Sequence, residues 1–214
     1  MIIISSSQSD VYIIYKGNKS IIKKISGRSS GSKIVSAVQE ILVLNNKTLG
    51  QIKEFGIDVG PGSFTGIRIS IAVIQGFLFG RNDYELKKFY SSDVLGYGFL
   101  NKKIAVLNKA RDDAAYVSLY NYGVRVSMPE MIFGKNLDGI LQDRTLIGAQ
   151  SKHFKDKYLL KNEILIPEIS IDNFIYAFKV GEKINAEDLE PLYIQKPIAV
   201  ENYEKQNNKK IEDI

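Results

Sequence analysis

Phe55-Gly56-Ile57-Asp58-Val59, then Gly60-Pro61-Gly62-Ser63-Phe64-Thr65-Gly66, then an apolar run from Ile67 to Phe79 form the stretch whose reading decides the fold. The first five residues read as a buried strand; the run after Gly66 is too long for a strand and reads as a helix. Upstream, Ile2 to Ser5, Val11 to Tyr15 and Ser20 to Ile25 read as three short antiparallel strands, the last two joined by a turn at Gly17-Asn18. A helix opens at Gly31-Ser32, places Ile34, Ala37, Val38, Ile41 and Leu42 at three- and four-residue spacings, and ends near Asn45-Asn46. A weaker strand at Leu86 to Phe89 and a short helix near Ser92 follow. The element order is βββαβα.

The second half repeats that order loosely. Strands are expected at Ile104 to Leu107, Ala115 to Tyr120 and Val124 to Ile132, a helix at Leu137 to Leu141, and a strand at Thr145 to Ile147 ending in Gly148. A helix at Ile171 to Val180 has Ser170 as its N-cap and Gly181 as its stop, and Leu192 to Ile194 reads as a last strand. A duplicated βββαβα unit predicts a two-lobed α/β protein: residues 1–100 as an N-terminal lobe, 101–195 as a second, degenerate lobe, and 196–214 as a polar tail, peripheral helix or disordered.

The chain has 214 residues, no Cys, no Trp and one His, so thiol catalysis, a thiolate metal site and a disulfide framework are excluded. A reducing, cytoplasmic setting is expected. The N-terminus lacks a basic segment before its short apolar run, and the longest uncharged apolar stretch, Ile69 to Gly80, falls short of the ~20 residues that span a bilayer. No membrane role is expected. Residues 1–107 carry 14 basic and 7 acidic side chains, and residues 108–214 carry 15 and 17, so the halves stand at +7 and −2. Much of the excess lies in Lys16, Lys19, Lys23, Lys24, Arg28 and Lys33, a candidate contact for tRNA or an acidic partner. A solvated hairpin face is the simpler reading, because no stacking aromatics interleave the lysines.

Two readings compete for Gly60 to Gly66. Its N–H groups suit an anion at a helix N-terminus. The loop fits no nucleotide fingerprint, however: Thr65 stands where a dinucleotide loop needs its third glycine, and no Lys-Ser or Lys-Thr pair follows. Glycines that permit a sharp turn and tight packing, with Ser63 or Thr65 capping the helix, fit the residues better. A serine hydrolase lacks a Gly-x-Ser-x-Gly elbow and has only His153 as base, in a basic, helical-looking Ser151 to Lys155. One His and no Cys do not make a usual zinc or iron ligand set. No catalytic residue and no metal ligand is assigned.

Around the helix after Gly66, Ile67, Ile71, Ile74 and Leu78 form one stripe, and Ile69, Val73 and Phe77 another. A helix apolar on two faces needs a cover on both, and a partner surface is preferred over a purely internal one. The pattern leaves open which stripe faces outward.

Val59-Gly60-Pro61-Gly62-Ser63-Phe64-Thr65-Gly66-Ile67-Arg68-Ile69 resembles the signature of the TsaB (YeaZ-like) family, bacterial proteins of threonylcarbamoyladenosine synthesis on tRNA. Ala110-Arg111 to Tyr116 resembles the family's Asp-Ala-Arg stretch before a Val-Tyr strand, and Glu190-Pro191-Leu192-Tyr193 within 186–194 resembles its C-terminal Pro-x-Tyr element. The resemblance implies the actin-like, sugar-kinase and Hsp70-type fold, two lobes each built on a ribonuclease-H-like unit. It implies a non-catalytic subunit that forms a heterodimer with the catalytic TsaD paralogue, whose metal-binding histidines it lacks, and that recruits the TsaE ATPase and meets tRNA through the complex. Family heterodimers pack through the first two helices of the N-terminal lobe. That carries an interface onto Ile34, Val38 and Ile41 together with Ile69, Val73 and Phe77, with Gly60, Pro61, Gly62, Ser63, Phe64, Thr65, Gly66 and Arg68 as the signature loop. No cofactor of its own is implied; a nucleotide at the complex interface, and a homodimer of the isolated chain, stay open.

The chain departs from the family twice. Ser5-Ser6-Ser7 stands where Asp-Thr-Ser is usual, and Lys109 replaces the Asp of Asp-Ala-Arg. Both changes remove acids from places where metal-bound nucleotide chemistry would use them, which argues against autonomous ATP turnover. The alternative reading is an ATP-dependent transferase or sugar-kinase-like enzyme of the same fold.

Overall fold

In the computed structural model, which describes residues 1–27 and 31–194, two six-stranded sheets are built along the same path. The first lobe opens with β1 (Ile2–Ser5), β2 (Val11–Tyr15) and β3 (Ile21–Ile25), then α1 (Ile34–Leu44), β4 (Glu54–Asp58), α2 (Phe64–Leu78) and β5 (Glu85–Phe89). α3 (Ser91–Gly96) leads to β6 (Lys103–Arg111), β7 (Ala114–Asn121), β8 (Val124–Arg125), β9 (Glu130–Phe133), α4 (Leu137–Leu141), β10 (Thr145–Ile147), α5 (Ser151–Tyr158) and β11 (Ile164–Leu165). The chain then runs through α6 (Ile171–Val180) and β12 (Glu182–Lys183).

The first sheet runs β12-β5-β4-β1-β2-β3 and the second β11-β10-β6-β7-β8, with β9 also pairing β7. Setting β12 and β9 aside, the two orders are the same, with β1 and β6, β4 and β10, β5 and β11 in corresponding places. The duplication expected from element order is therefore present in the sheets. The arrangement is the two-lobed actin-like fold.

The isoleucines of β1 alternate as a strand must. Ile2 and Ile4 face the core shared with α1 and α2, and Ile3 faces the opposite core, where Phe174, Ala177 and Phe178 of α6 pack. Both faces of the first sheet are thus covered, which explains why β1 reads as a continuous apolar run. The second lobe has smaller cores: Ala105, Leu107, Leu146 and Phe154 under α4 and α5, and Ile104, Val106, Tyr120 and Ile147 on the other face.

Three expectations need correction. The second lobe does not run to residue 195, because α6 and β12 return to the first lobe: β12 pairs with β5, and Ala186 and Leu189 enter the core of α1 and α2. The strand expected over Val124 to Ile132 is two short strands, since Pro129 has no N–H to donate. Leu192 to Ile194 is not a strand; its one ladder-like bond runs from Leu192 N–H to the Val59 carbonyl, 2.8 Å. Residues 196–214, and Arg28 of the basic cluster, lie outside the described residues.

Candidate functional site

The end of β4 and the start of α2 are stitched to the turn after β1 by a buried polar network. Ser5 and Asp58 end neighbouring parallel strands, one residue beyond the paired Ile4 and Ile57. Asp58 is fully buried and accepts from Ser5 Oγ (2.7 Å), Ser7 Oγ (2.5 Å) and the Gly60 N–H (2.8 Å). Burial raises its pKa to about 6; the three donors oppose that rise, and the Asp93 charge adds to it. Ser63 N–H donates to the Ser7 carbonyl (2.7 Å), and Ser63 Oγ caps α2 by accepting from Gly66 N–H (3.3 Å). Ser6 and Ser70 hydroxyls meet at 2.6 Å.

This geometry fits the packing reading of the glycine loop. Gly60 takes φ +102°, and a Cβ on Gly62 would overlap the Ser7 carbonyl. The N–H groups of Gly60, Ser63, Gly66 and Ile67 donate within the protein. The loop ties the start of α2 to the turn after β1. Sequence reasoning passed over Asp58; an acid inside an apolar strand, directly before the glycine turn, was the available signal.

The network continues between the lobes. Ser91 N–H donates to the Gly60 carbonyl (3.0 Å) and Ser91 Oγ to the Pro61 carbonyl (2.8 Å); Asn108 Nδ2 reaches Ser91 Oγ at 3.4 Å, and Gln8 Nε2 reaches Asn108 Oδ1 at 3.3 Å. Asp93 in α3 accepts from Tyr120 Oη (2.8 Å), Tyr90 N–H (3.0 Å) and Arg125 Nη1 (3.3 Å). Burial raises its pKa, against the Arg125 charge. Above this floor a cleft of about 380 Å³ opens, lined among others by Ser6, Gln8, Thr65, Asn108, Lys109 and Gln150. Lys109 pairs with Asp112 at 3.2 Å. His153 lies 3.5 Å from Asp112 at the surface of α5, away from any nucleophile named above.

α1 and α2 lie side by side on one face of the first sheet. On α2, Ile67, Ile71, Ile74 and Leu78 are buried, Ile69, Val73 and Phe77 are half-buried and pack against the edge of the same core, and Arg68, Ala72 and Gly76 form the exposed face. Of the two apolar stripes, the second is the less covered. On α1 the outcome differs from expectation: Ile34, Val38 and Ile41 are at most 2% exposed, because the helix's one apolar stripe is used to cover its own sheet. The groups α1 offers to a neighbour are Val35, Val43 and Leu44, more than half exposed and missed because they fall on the polar side of an amphipathic pattern. Phe79, 91% exposed, ends α2.

Within the signature, Phe64 and Arg68 sit exposed on the first turns of α2, and Tyr193 folds back onto both. The two sequence elements that resemble the family's signature are therefore in contact. In the basic cluster, Lys23 is paired with Glu40 and Lys24 with Asp10, so two of its lysines are already paired within the lobe itself.

No family model matches the chain. A Haemophilus influenzae protein named tRNA threonylcarbamoyladenosine biosynthesis protein TsaB is 33% identical over 76 residues, 36% of this chain and 32% of that protein. Its namesake in Buchnera aphidicola is 33% identical over 78 residues, 36% and 35% of the two chains, and that of Escherichia coli 40% over 53 residues, 25% and 23%. The chain matches about a third or less of the length of these relatives. A Pseudomonas aeruginosa crystal structure described as similar to peptidase YeaZ superposes with TM-score 0.73 at 17% identity over 91% of this chain and 98% of that one. YeaZ from Pseudomonas aeruginosa gives 0.71 at 17% identity, over 90% and 99%. The chain is thus related in sequence to TsaB proteins and shares the fold of YeaZ. No helix among the described residues is long and apolar enough to cross a membrane.

Proposed function

We propose that this relative of the TsaB proteins takes part in threonylcarbamoyladenosine modification of tRNA as a non-catalytic subunit, and that the α1/α2 face is where a TsaD-type catalytic paralogue docks. The observation that carries the reading is the stripe Ile69, Val73 and Phe77, only half covered by the lobe's own core, on the helix that lies next to α1 with its exposed Val35, Val43 and Leu44. Apolar surface that its own lobe leaves partly uncovered is of the kind that marks a partner interface. Recruitment of a TsaE-type ATPase and contact with tRNA then fall to the assembled complex. A nucleotide would be held at the complex interface; within the glycine loop, the N–H groups of Gly60, Ser63 and Gly66 already donate internally. The isolated chain is expected to use the same face to form a homodimer.

The test is co-expression with the cognate TsaD-type protein and size-exclusion chromatography, with Val73→Asp placing a charge in the seam. A stable complex that the substitution abolishes supports the reading; a complex indifferent to it removes this face. Depletion of the protein should lower threonylcarbamoyladenosine in tRNA, restored by the wild type and not by Val73→Asp. Metal-dependent ATP turnover by the purified chain alone would favour the transferase reading instead.

A further inference from the structure

Arg68 is the one charged residue of α2, and it is held in an unusual way for an exposed side chain. Its guanidinium carbon lies 3.9 Å from the centre of the Phe64 ring, Nη2 donates to Tyr193 Oη at 2.9 Å and Nε reaches the same oxygen at 3.3 Å. The two rings are 5.9 Å apart, and Tyr193 is itself held by the Leu192 N–H bond to the Val59 carbonyl. Phe64 and Tyr193 remain 46% and 49% exposed, and no acidic side chain among the described residues pairs with Arg68. A guanidinium has five N–H donors in a rigid fork. One edge is taken by the tyrosine oxygen, leaving the Nη1–Nη2 edge, already ordered, for a bidentate acceptor.

We propose that Phe64, Arg68 and Tyr193 form a preorganised acceptor for a carboxylate carried by the partner protein, so that one end of the α1/α2 face chooses its partner by charge. The proposal rests on the reading of that face as a partner surface and adds the chemistry of the group that meets it. An aromatic and arginine cluster beside apolar side chains has the composition of an interface hot spot. Ordering the fork before binding lowers the entropic cost of the pairing. A nucleic-acid backbone is the less suitable occupant: it needs several cations in a row, and α2 supplies one, followed by Ile69 and Val73.

Titration calorimetry with the purified cognate paralogue at several salt concentrations tests this. Arg68→Ala is expected to weaken binding about tenfold or more and to flatten its salt dependence. Arg68→Lys should fail to restore it, because a point charge lacks the fork, and Tyr193→Phe should give a smaller loss while keeping the ring. If Arg68→Ala does not fold, Arg68→Gln and Tyr193→Phe carry the test. Wild-type affinity retained by Arg68→Ala while Val73→Asp abolishes binding overturns the carboxylate acceptor and leaves the face standing. No binding by the wild type removes both. A loss confined to tRNA affinity, with protein binding unchanged, overturns the proposal in favour of phosphate.

Discussion

The two lobes follow the same strand order, yet the helices that leave their corresponding strands have opposite characters. α2, after β4, has 15 residues, five of them buried and three more half-buried on a second apolar side. α5, after β10, has eight, buries only Ser151 and Phe154, and uses Lys155 and Lys157 on the Asn162 carbonyl and the Asp112 carboxylate. The turns differ in the same sense. Before α2, Asp58, Ser7 and Ser63 tie strand, turn and cap together. Before α5, Gln150 makes no side-chain cap and Ser151 Oγ is buried without a partner among the described residues. One topology has thus been specialised in one copy to hold a helix firmly while leaving its second apolar side only half covered. The other copy keeps the helix as ordinary lobe packing.

Breaking the stitched turn should have the largest effect. Gly62→Val drives a branched side chain into the Ser7 backbone and is expected to cost more than about 3 kcal/mol in thermal or denaturant unfolding. Gly139→Ala in α4 of the second lobe, where a Cβ meets nothing, should stabilise by a few tenths to about 1 kcal/mol. Similar losses at both positions would dissolve the contrast.

Arg125→Ala tests the tie between the lobes. It leaves the Asp93 carboxylate buried with Tyr120 and the Tyr90 N–H but without its cation, at a cost of about 2 kcal/mol. The loss should appear as a lower denaturation midpoint in a single transition, because α3 is hydrogen-bonded to both lobes through Ser91 and Asp93.

Asp58 sharpens the comparison through pH. Its folded pKa of about 6 lies above the ordinary carboxylate value of 3.8, so the folded state holds the proton more tightly. The resulting stability is fully present below pH 3.8 and is lost as pH rises through about 6, a difference on the order of 3 kcal/mol. Asp58→Asn should flatten the curve of melting temperature between pH 4 and 7, and an unchanged slope would refute the assignment. At the matching end of β10 stands the buried, non-titrating Ile147.

The smallest effect is expected at the hairpin. Lys23→Ala with Lys24→Ala removes two surface pairs, to Glu40 and Asp10, and should leave the denaturation midpoint nearly unchanged. A clear loss of tRNA affinity in the same variant would return the hairpin to the candidate site.

Much of this was legible because it is local. Periodicity found β1 to β5, the α1 and α2 stripes and the capped α6, since each depends on neighbours within a few residues. β8 and β9 were run together because Pro129 breaks a pattern that is otherwise continuous. β11 and β12, of two residues each, carry no period at all, and their pairing partners lie far along the chain. The site was half legible: the α2 stripe and the signature loop stood out, whereas Asp58, Tyr193 against Arg68, and the outward Val35, Val43 and Leu44 did not.

By itself the sequence determined that the chain is α/β and duplicated, without the thiols or histidine pairs of metal chemistry, and that α2 is apolar on two sides. Those properties follow from composition and from spacing along one element. Only the tertiary structure decided which stripe of α2 is the less covered, that α1 spends its stripe on its own sheet, that the glycine turn is tied to Ser7 and Asp58, and that residues 171–192 belong with the first lobe. Each of these depends on what another part of the chain covers, and covering is a relation between distant segments that no single segment's pattern contains.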